Sequence, residues 1–314
     1  MERNNKNSKN KYLLAEGHTA CSGCGELLAA RHVIDAAGQN TIILNSTGCL
    51  EVTTSQYPNS SWRVPWMHSC FENSSAVASG VAAALKYKKQ VQPNAGSGNG
   101  RNKKINVIAQ AGDGGTFDIG LGLISGMFER NDDVLYVCYD NEAYMNTGVQ
   151  ASGATGLGAA TTTSPAGKVI PGNRLIKKNM PEIAMAHDLS YVAVTTCGHI
   201  ADIEKKVKKA LTMPGAKYIQ ILCGCTPGWN YDTKLTVQLG KLAQQSGLYP
   251  CFEAEDGEVT SVMKVPKKKV LVDEFMKPQK RYKHLFKDEK GKKVLAEIQA
   301  WADKNKEKYN LLPK

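Results

Sequence analysis

Residues 105–115, INVIAQAGDGG, constrain the chain more than any other segment: a largely apolar run ends on a glycine-bracketed aspartate. Such a run suits a strand buried on both faces, and residues 116–129 after it have helical composition. Further β-rich apolar runs lie at 41–45 (TIILN), 134–139 (VLYVCY), 191–195 and 217–222 (KYIQIL). Helical patterns separate them at 26–37, 72–88, 181–187 and 200–212. This alternation predicts an α/β fold, a mostly parallel sheet with helices on both faces, with ligands at the carboxyl ends of the strands. Residues 91–104 read as a polar loop, and the Gly-, Ser- and Thr-rich stretch 147–179 has no clear period.

Charge limits what the chain can do. Its 314 residues carry 40 Lys and Arg against 29 Asp and Glu, a net charge of +11. Residues 1–12 hold four basic and one acidic residue, and residues 264–314 hold sixteen and seven. The stretch between them is left with twenty basic and twenty-one acidic residues. A protein built to grip phosphate backbones carries its charge on the folded face, so the neutral body argues against a nucleic-acid partner. The expected organisation is a basic N-terminal extension (1–12), a ligand-binding domain (13–262) and a Lys-rich C-terminal extension (263–314). The extension holds a helix over 294–308 and reads as a docking or steering element. No apolar run reaches the ~18–20 residues that span a bilayer, so no membrane partner is expected. The N-terminus lacks an apolar signal core, which argues for a cytoplasmic location.

The motif at 112–114 has a distant counterpart. Gly112-Asp113-Gly114 is followed, 26 residues later, by Asn141, and both ends fall at the carboxyl ends of expected strands. Mg²⁺ takes oxygen ligands in octahedral geometry and often bridges protein to a diphosphate. Asp113 supplies a carboxylate, Asn141 an amide oxygen and Ala143 a backbone carbonyl. Gly112, Gly114 and Gly115 let the backbone approach phosphate oxygens, and the start of the following helix favours an anion. The spacing resembles the thiamine-diphosphate motif.

Nine cysteines without an export signal point to buried small hydrophobes and metal ligands rather than disulfides. Cys21 and Cys24 form a CxxC before a helix, Cys49 follows the first strand in STGC, and Cys225 lies in CGCTPGW after the last strand of the body. These loops can converge. Four thiolates suit Zn²⁺ or an iron–sulfur cluster, and spacing alone leaves both, and coincidence, open. It also does not choose between Cys223 and Cys225.

In order, the segments GHTACSGCG, STGC, PWMHSCFENSSAVASG, AGDGG, YDNEAYMNTG and CTPGW resemble the β subunit of the 2-oxoacid:ferredoxin oxidoreductases. The pyruvate enzymes are the best-known members and an oxalate enzyme is another. The resemblance covers about residues 12–252 and implies a thiamine-diphosphate-binding fold. It implies Cys21, Cys24, Cys49 and Cys225 as ligands of a [4Fe–4S] cluster, and favours Cys225 over Cys223. Asp113, Asn141 and Ala143 match Mg²⁺ ligands. Asn146 matches a position facing the substrate, and Thr47, Gly48, His68, Gly114, Gly115 and Thr147 match the surroundings of the cofactor. His68 is a candidate proton donor or phosphate contact. The implied reaction is oxidative decarboxylation of pyruvate or oxalate, with electrons passing singly through the cluster to ferredoxin, and CoA used for a 2-oxoacid. A non-redox thiamine-diphosphate decarboxylase or synthase is the alternative. The implied partners are the α and γ subunits, with a δ subunit in some complexes. The glutamate that activates the thiamine ring lies on another subunit, with Glu51, Glu72 and Glu142 as the alternatives in this chain. The CTPGW order departs from the commoner CPTGW.

Overall fold

The computed structural model describes residues 12–56, 58–91 and 104–313. Most of the expected N-terminal extension and of the polar loop 91–104 therefore lies outside the described residues.

The strands are β1 (Thr41–Ser46), β2 (Trp66–Ser69), β3 (Asn106–Gly112), β4 (Leu135–Asp140), β5 (Tyr191–Thr196), β6 (Lys217–Leu222), β7 (Phe252–Glu255) and β8 (Glu258–Val262). They form one sheet in the order β2-β1-β3-β4-β6-β5-β7-β8. The first six are mutually parallel, and β7 and β8 add on antiparallel at one edge. The five runs read as strands form the sheet's centre. β4, β5 and β6 are buried along their whole length because helices cover both faces.

Side chains alternate between those faces. Tyr136, Cys138, Val192, Val194 and Tyr218 belong to one apolar cluster. Leu135, Val137, Tyr139, Tyr191, Ala193, Ile219 and Ile221 belong to the other. The second face is covered by α1 (Gly25–Ala37) and α6 (Ile200–Thr212), which pack on each other and supply Leu27, Val33, Ile34, Ile203 and Val207. The first is covered by α3 (Ser74–Val91), α4 (Leu121–Glu129), α5 (Met180–Met185) and α7 (Thr236–Gln245). The short α2 (Cys49–Thr54) follows β1 directly. Among the described residues, no helix is long and apolar enough to cross a membrane.

The topology opens a crevice. The chain leaves β1 for β2 on one side and leaves β3 for β4 on the other. The two loops therefore diverge at the carboxyl edge of the sheet, where ligands of open α/β sheets bind.

Read from sequence, residues 263–314 form a docking or steering extension whose amphipathic helix 294–308 docks on the body or on a partner. In the structure their apolar residues Val265, Val272, Phe275, Met276, Tyr282, Leu285, Ile298, Ala302, Tyr309 and Leu311 belong to the main core cluster. They lie on α8 (Val272–Met276), a tight turn at Lys280–Phe286, α9 (Glu289–Lys308) and the flanking loops. The expected helix 294–308 is thus the C-terminal part of a longer one, whose apolar stripe faces the body while its lysines stay largely outside.

Truncation before residue 264 is expected to abolish cooperative unfolding, because it strips this cover. Phe275→Ala alone should lower the unfolding free energy by about 3–5 kcal/mol. Urea denaturation followed by circular dichroism checks both; a truncated chain that melts like the intact one would contradict the tail's place in the core.

Candidate active site

The crevice has a polar floor. Gln110 on β3 donates from Nε2 to Asn45 Oδ1 on β1 at 2.6 Å and accepts from the Tyr139 hydroxyl on β4 at 3.1 Å. Buried polar groups must find such partners, and here three adjacent strands supply them to one another.

Above this floor β3 and β4 end together. Their pairing sets Gly112 opposite Tyr139, so Asp113 and Asp140 leave the sheet side by side. Asp113 accepts from the Asn141 backbone N–H at 3.2 Å and from the Ser152 hydroxyl at 2.5 Å. Burial, reinforced by the Asp140 charge, pushes its carboxyl well above the usual carboxylate range. Asn141 Oδ1 faces two further acceptors, Asp113 Oδ1 at 2.9 Å and the Ala143 carbonyl at 2.7 Å. In this orientation the three oxygens form a donor set for a hard cation. Exchanging the amide's O and N turns both contacts into hydrogen bonds, so the same loop satisfies itself without one. Asp113 is thus brought to one point with Asn141 and Ala143, which lie far from it in sequence.

Asn141 also faces the cysteines. Its Nδ2 donates to Glu26 Oε2 at 3.3 Å, and Glu26 is 5% exposed. Burial raises the Glu26 carboxyl to about 7, against the opposing effect of the Asn141 hydrogen bond. Glu26, Asn141 and Asn146 line a cavity of about 250 Å³ together with Cys21, Cys24, Cys49, Cys223 and Cys225. Cys24 caps α1, its sulfur accepting from the Leu27 N–H at 3.5 Å. Cys49 opens α2, and Cys225 precedes the short turn Thr226–Asn230. Burial, with the Glu26 charge next, raises the Cys24 thiol to about 12 and the Cys49 thiol further. Burial raises Cys225 to about 11. As free thiols they stay protonated, whereas bound iron inverts that preference by favouring thiolates. Cys223 is fully buried, its sulfur directed to the Ile221 carbonyl at 3.3 Å. Among the described residues, no three His, Cys, Asp or Glu side chains converge on one metal-sized point. The thiols surround a volume instead.

The remaining sequence candidates occupy the β1–β2 side. Thr47 Oγ1 lies 2.8 Å from His68 Nε2, and His68 Nδ1 lies 3.8 Å from Glu51 Oε1. His68 is exposed. A Cβ on Gly48 would stand in open space, so the backbone there is accessible from the crevice. Gly114 and Gly115 are already packed, against the Tyr144 ring and the Phe71 carbonyl, so their small size serves the fold as well. Gly112 ends β3 with room to spare. Thr147 turns aside to donate to Gln150 Oε1 at 2.6 Å.

Sequence reasoning missed several residues. Lys177, from the stretch without period, pairs with Asp140 at 2.5 Å and Glu142 at 3.0 Å. Arg281, from the tail, pairs with Glu142 at 2.7 Å. Glu142, so engaged, is not free to act elsewhere. Val149 lines the cavity at φ +63°, a costly conformation for a β-branched residue and one that marks a constrained loop. Only Glu26, directly after CSGCG, carried a local signal.

Fold and site together define a thiamine-diphosphate-dependent enzyme. Residues 46–221 match the C-terminal TPP-binding domain of thiamine pyrophosphate enzymes. The fold is similar to that of 2-oxoglutarate:ferredoxin oxidoreductase from Magnetococcus marinus, with a TM-score of 0.55 and 24% identity over 73% of this chain and 72% of that one. Pyruvate synthase subunit PorB of Methanosarcina barkeri is 48% identical over 96% of this chain and 98% of its own. PorB of Methanocaldococcus jannaschii is 51% identical over 86% and 89%. Ketoisovalerate oxidoreductase subunit VorB of Pyrococcus abyssi is 40% identical over 87% and 86%. The chain belongs to this family, the β subunits of the 2-oxoacid:ferredoxin oxidoreductases, and is a subunit of an oxidoreductase.

Ser152→Ala is expected to weaken Mg²⁺-dependent thiamine-diphosphate binding about 10–100-fold, the usual cost of losing a partner that orients a ligand. Titration of intrinsic fluorescence with Mg²⁺ at fixed thiamine diphosphate checks this; unchanged affinity would detach Ser152 from the site.

Proposed function

We propose that this chain is the thiamine-diphosphate- and cluster-bearing subunit of a pyruvate:ferredoxin oxidoreductase. It would hold Mg²⁺ through Asp113, Asn141 and the Ala143 carbonyl, and a [4Fe–4S] cluster through Cys21, Cys24, Cys49 and Cys225. One observation carries the reading: the Asn141 amide sits between the two sets, one side against Asp113 Oδ1 and the Ala143 carbonyl and the other against Glu26, which lines the cysteine cavity. When bound, thiamine diphosphate supplies a carbanion nucleophile and an electron sink. The chain's own residues place that group beside an electron acceptor and keep the site from water. Electron transfer, rather than non-redox decarboxylation, is favoured because five cysteines, the four proposed ligands among them, line a cavity next to the cation trio.

Cys225 is the fourth ligand in this reading. Both cysteines line the cavity, but Cys225 is the less buried and opens its turn, while Cys223 is fully buried with its sulfur turned to a backbone carbonyl. Pyruvate is the proposed substrate because the PorB relatives carry that name. CoA is then the acyl acceptor and ferredoxin the electron acceptor. Glu142 is tied to Lys177 and Arg281, which supports a partner subunit as the source of the glutamate that activates the thiamine ring.

The whole complex, purified without oxygen, is expected to reduce viologen with pyruvate and CoA. Cys225→Ser should lose iron and this activity, while Cys223→Ser should keep both. Pyruvate decarboxylation surviving Cys225→Ser without viologen reduction would favour a non-redox enzyme. Turnover of oxalate without CoA, and none of pyruvate, would overturn the substrate.

A further inference from the structure

The two proposed sites share a residue from the tail. Arg281 is 6% exposed, deep in a segment otherwise rich in surface lysines. Its Nη2 donates to Glu142 Oε2 at 2.7 Å and its Nε to Gln279 Oε1 at 2.8 Å. The same guanidinium lies 4.0 Å from the centre of the Trp229 ring and 4.7 Å from that of Tyr282.

Each contact leads to a different site. Glu142 is the residue between Asn141 and Ala143, and it holds φ at +67°, a conformation that a non-glycine residue keeps only when its surroundings fix it. Pinning its carboxylate from outside turns the Asn141 amide and the Ala143 carbonyl inward. Trp229 stands on the other side. Its backbone N–H donates to the Cys225 carbonyl at 2.9 Å, closing the cysteine turn, and its indole N–H donates to the Asn141 carbonyl at 2.7 Å.

We propose that Arg281 is a positioning residue common to both cofactor sites, holding the 141–143 loop through Glu142 and the Cys225 turn through Trp229. This rests on the functional reading above and adds a part that the tail plays in it. A planar cation suits both tasks, since one edge of the guanidinium bonds the carboxylate while its face stacks on the indole. Lysine keeps the charge but cannot do both. The charge also sits on the cluster side, stacked on the indole of the residue that closes the Cys225 turn, where it would favour a reduced cluster.

The test compares Arg281→Lys, Arg281→Met and Glu142→Gln in the intact complex, with Leu311→Ala as a control that loosens the tail away from both loops. Three quantities are read: the Mg²⁺ concentration needed to bind thiamine diphosphate, iron and acid-labile sulfide per chain, and the cluster midpoint potential by electron paramagnetic resonance. Arg281→Lys should weaken Mg²⁺ binding about 10–100-fold. Arg281→Met should do the same and also shift the midpoint potential to more negative values. Glu142→Gln should weaken Mg²⁺ binding while leaving the iron content intact, and it carries the test if Arg281→Met does not fold. Leu311→Ala should lower the melting temperature without moving the other readouts.

If Arg281→Lys and Glu142→Gln bind Mg²⁺ like the wild type, or if Leu311→Ala weakens binding equally, the proposal is overturned and Arg281 serves only to fasten the tail. A wild-type complex without iron, or indifferent to Mg²⁺, would overturn the functional reading instead.

Discussion

Three carboxylates and two cations, all withdrawn from water, set the terms for the rest of this site. Asp113, Asp140 and Glu142 are buried at the ends of β3 and β4, and Lys177 and Arg281 reach them from segments far along the chain. Burial acts against the charged form of each. For Glu142 it is overcome by Lys177 and then Arg281, which hold the carboxyl below its ordinary range. For Lys177 it is overcome by Asp140 and Glu142, which hold the ammonium well above its own. Asp113 has no cation in contact, and burial with Asp140 beside it pushes its carboxyl up. With all three carboxylates ionised the set is one positive charge short, and the deficit falls at Asp113, beside Asn141 and the Ala143 carbonyl. A buried ion group stable only when every charge is matched is poised for an added cation.

The architecture around this group follows from where the strands end. β3, β4 and β6 deliver Asp113, Asn141 and Cys225 to one edge, and β1 delivers Cys49. Asn141 lies between cation trio and cysteine cavity, so the two proposed cofactors would be separated by a single side chain. This division suits a reaction in which an electron-rich adduct forms on one side and is oxidised from the other. The Arg281–Trp229 stack lies behind both loops, and it is the tail's only buried guanidinium among the described residues.

Much of this was legible in the sequence, for identifiable reasons. The central strands are largely apolar, β-rich runs, and the GDG and Asn141 loops fall at their ends. The antiparallel edge was missed although it carried a signal: Asp256 and Gly257 both take positive φ, as a two-residue hairpin requires, between alternating strands. β2 was missed because WMHS is too short and mixed to show a period. How far the tail enters the core was not legible, because its apolar residues are interleaved with sixteen basic ones and net charge conceals the stripe. Arg281 looked like any other of those basic residues. Lys177 lay in a stretch without period, where nothing local marks a partner over thirty residues away.

The central claim is spatial: the four cysteines hold iron next to the cation trio. Anomalous scattering measured on either side of the iron absorption edge, from crystals of the complex grown without oxygen, tests it most directly. The account predicts an iron peak in this chain bounded by Cys21, Cys24, Cys49 and Cys225, with Asn141 between it and the Mg²⁺–diphosphate density. A zinc-edge signal there, or iron confined to other subunits, would contradict it.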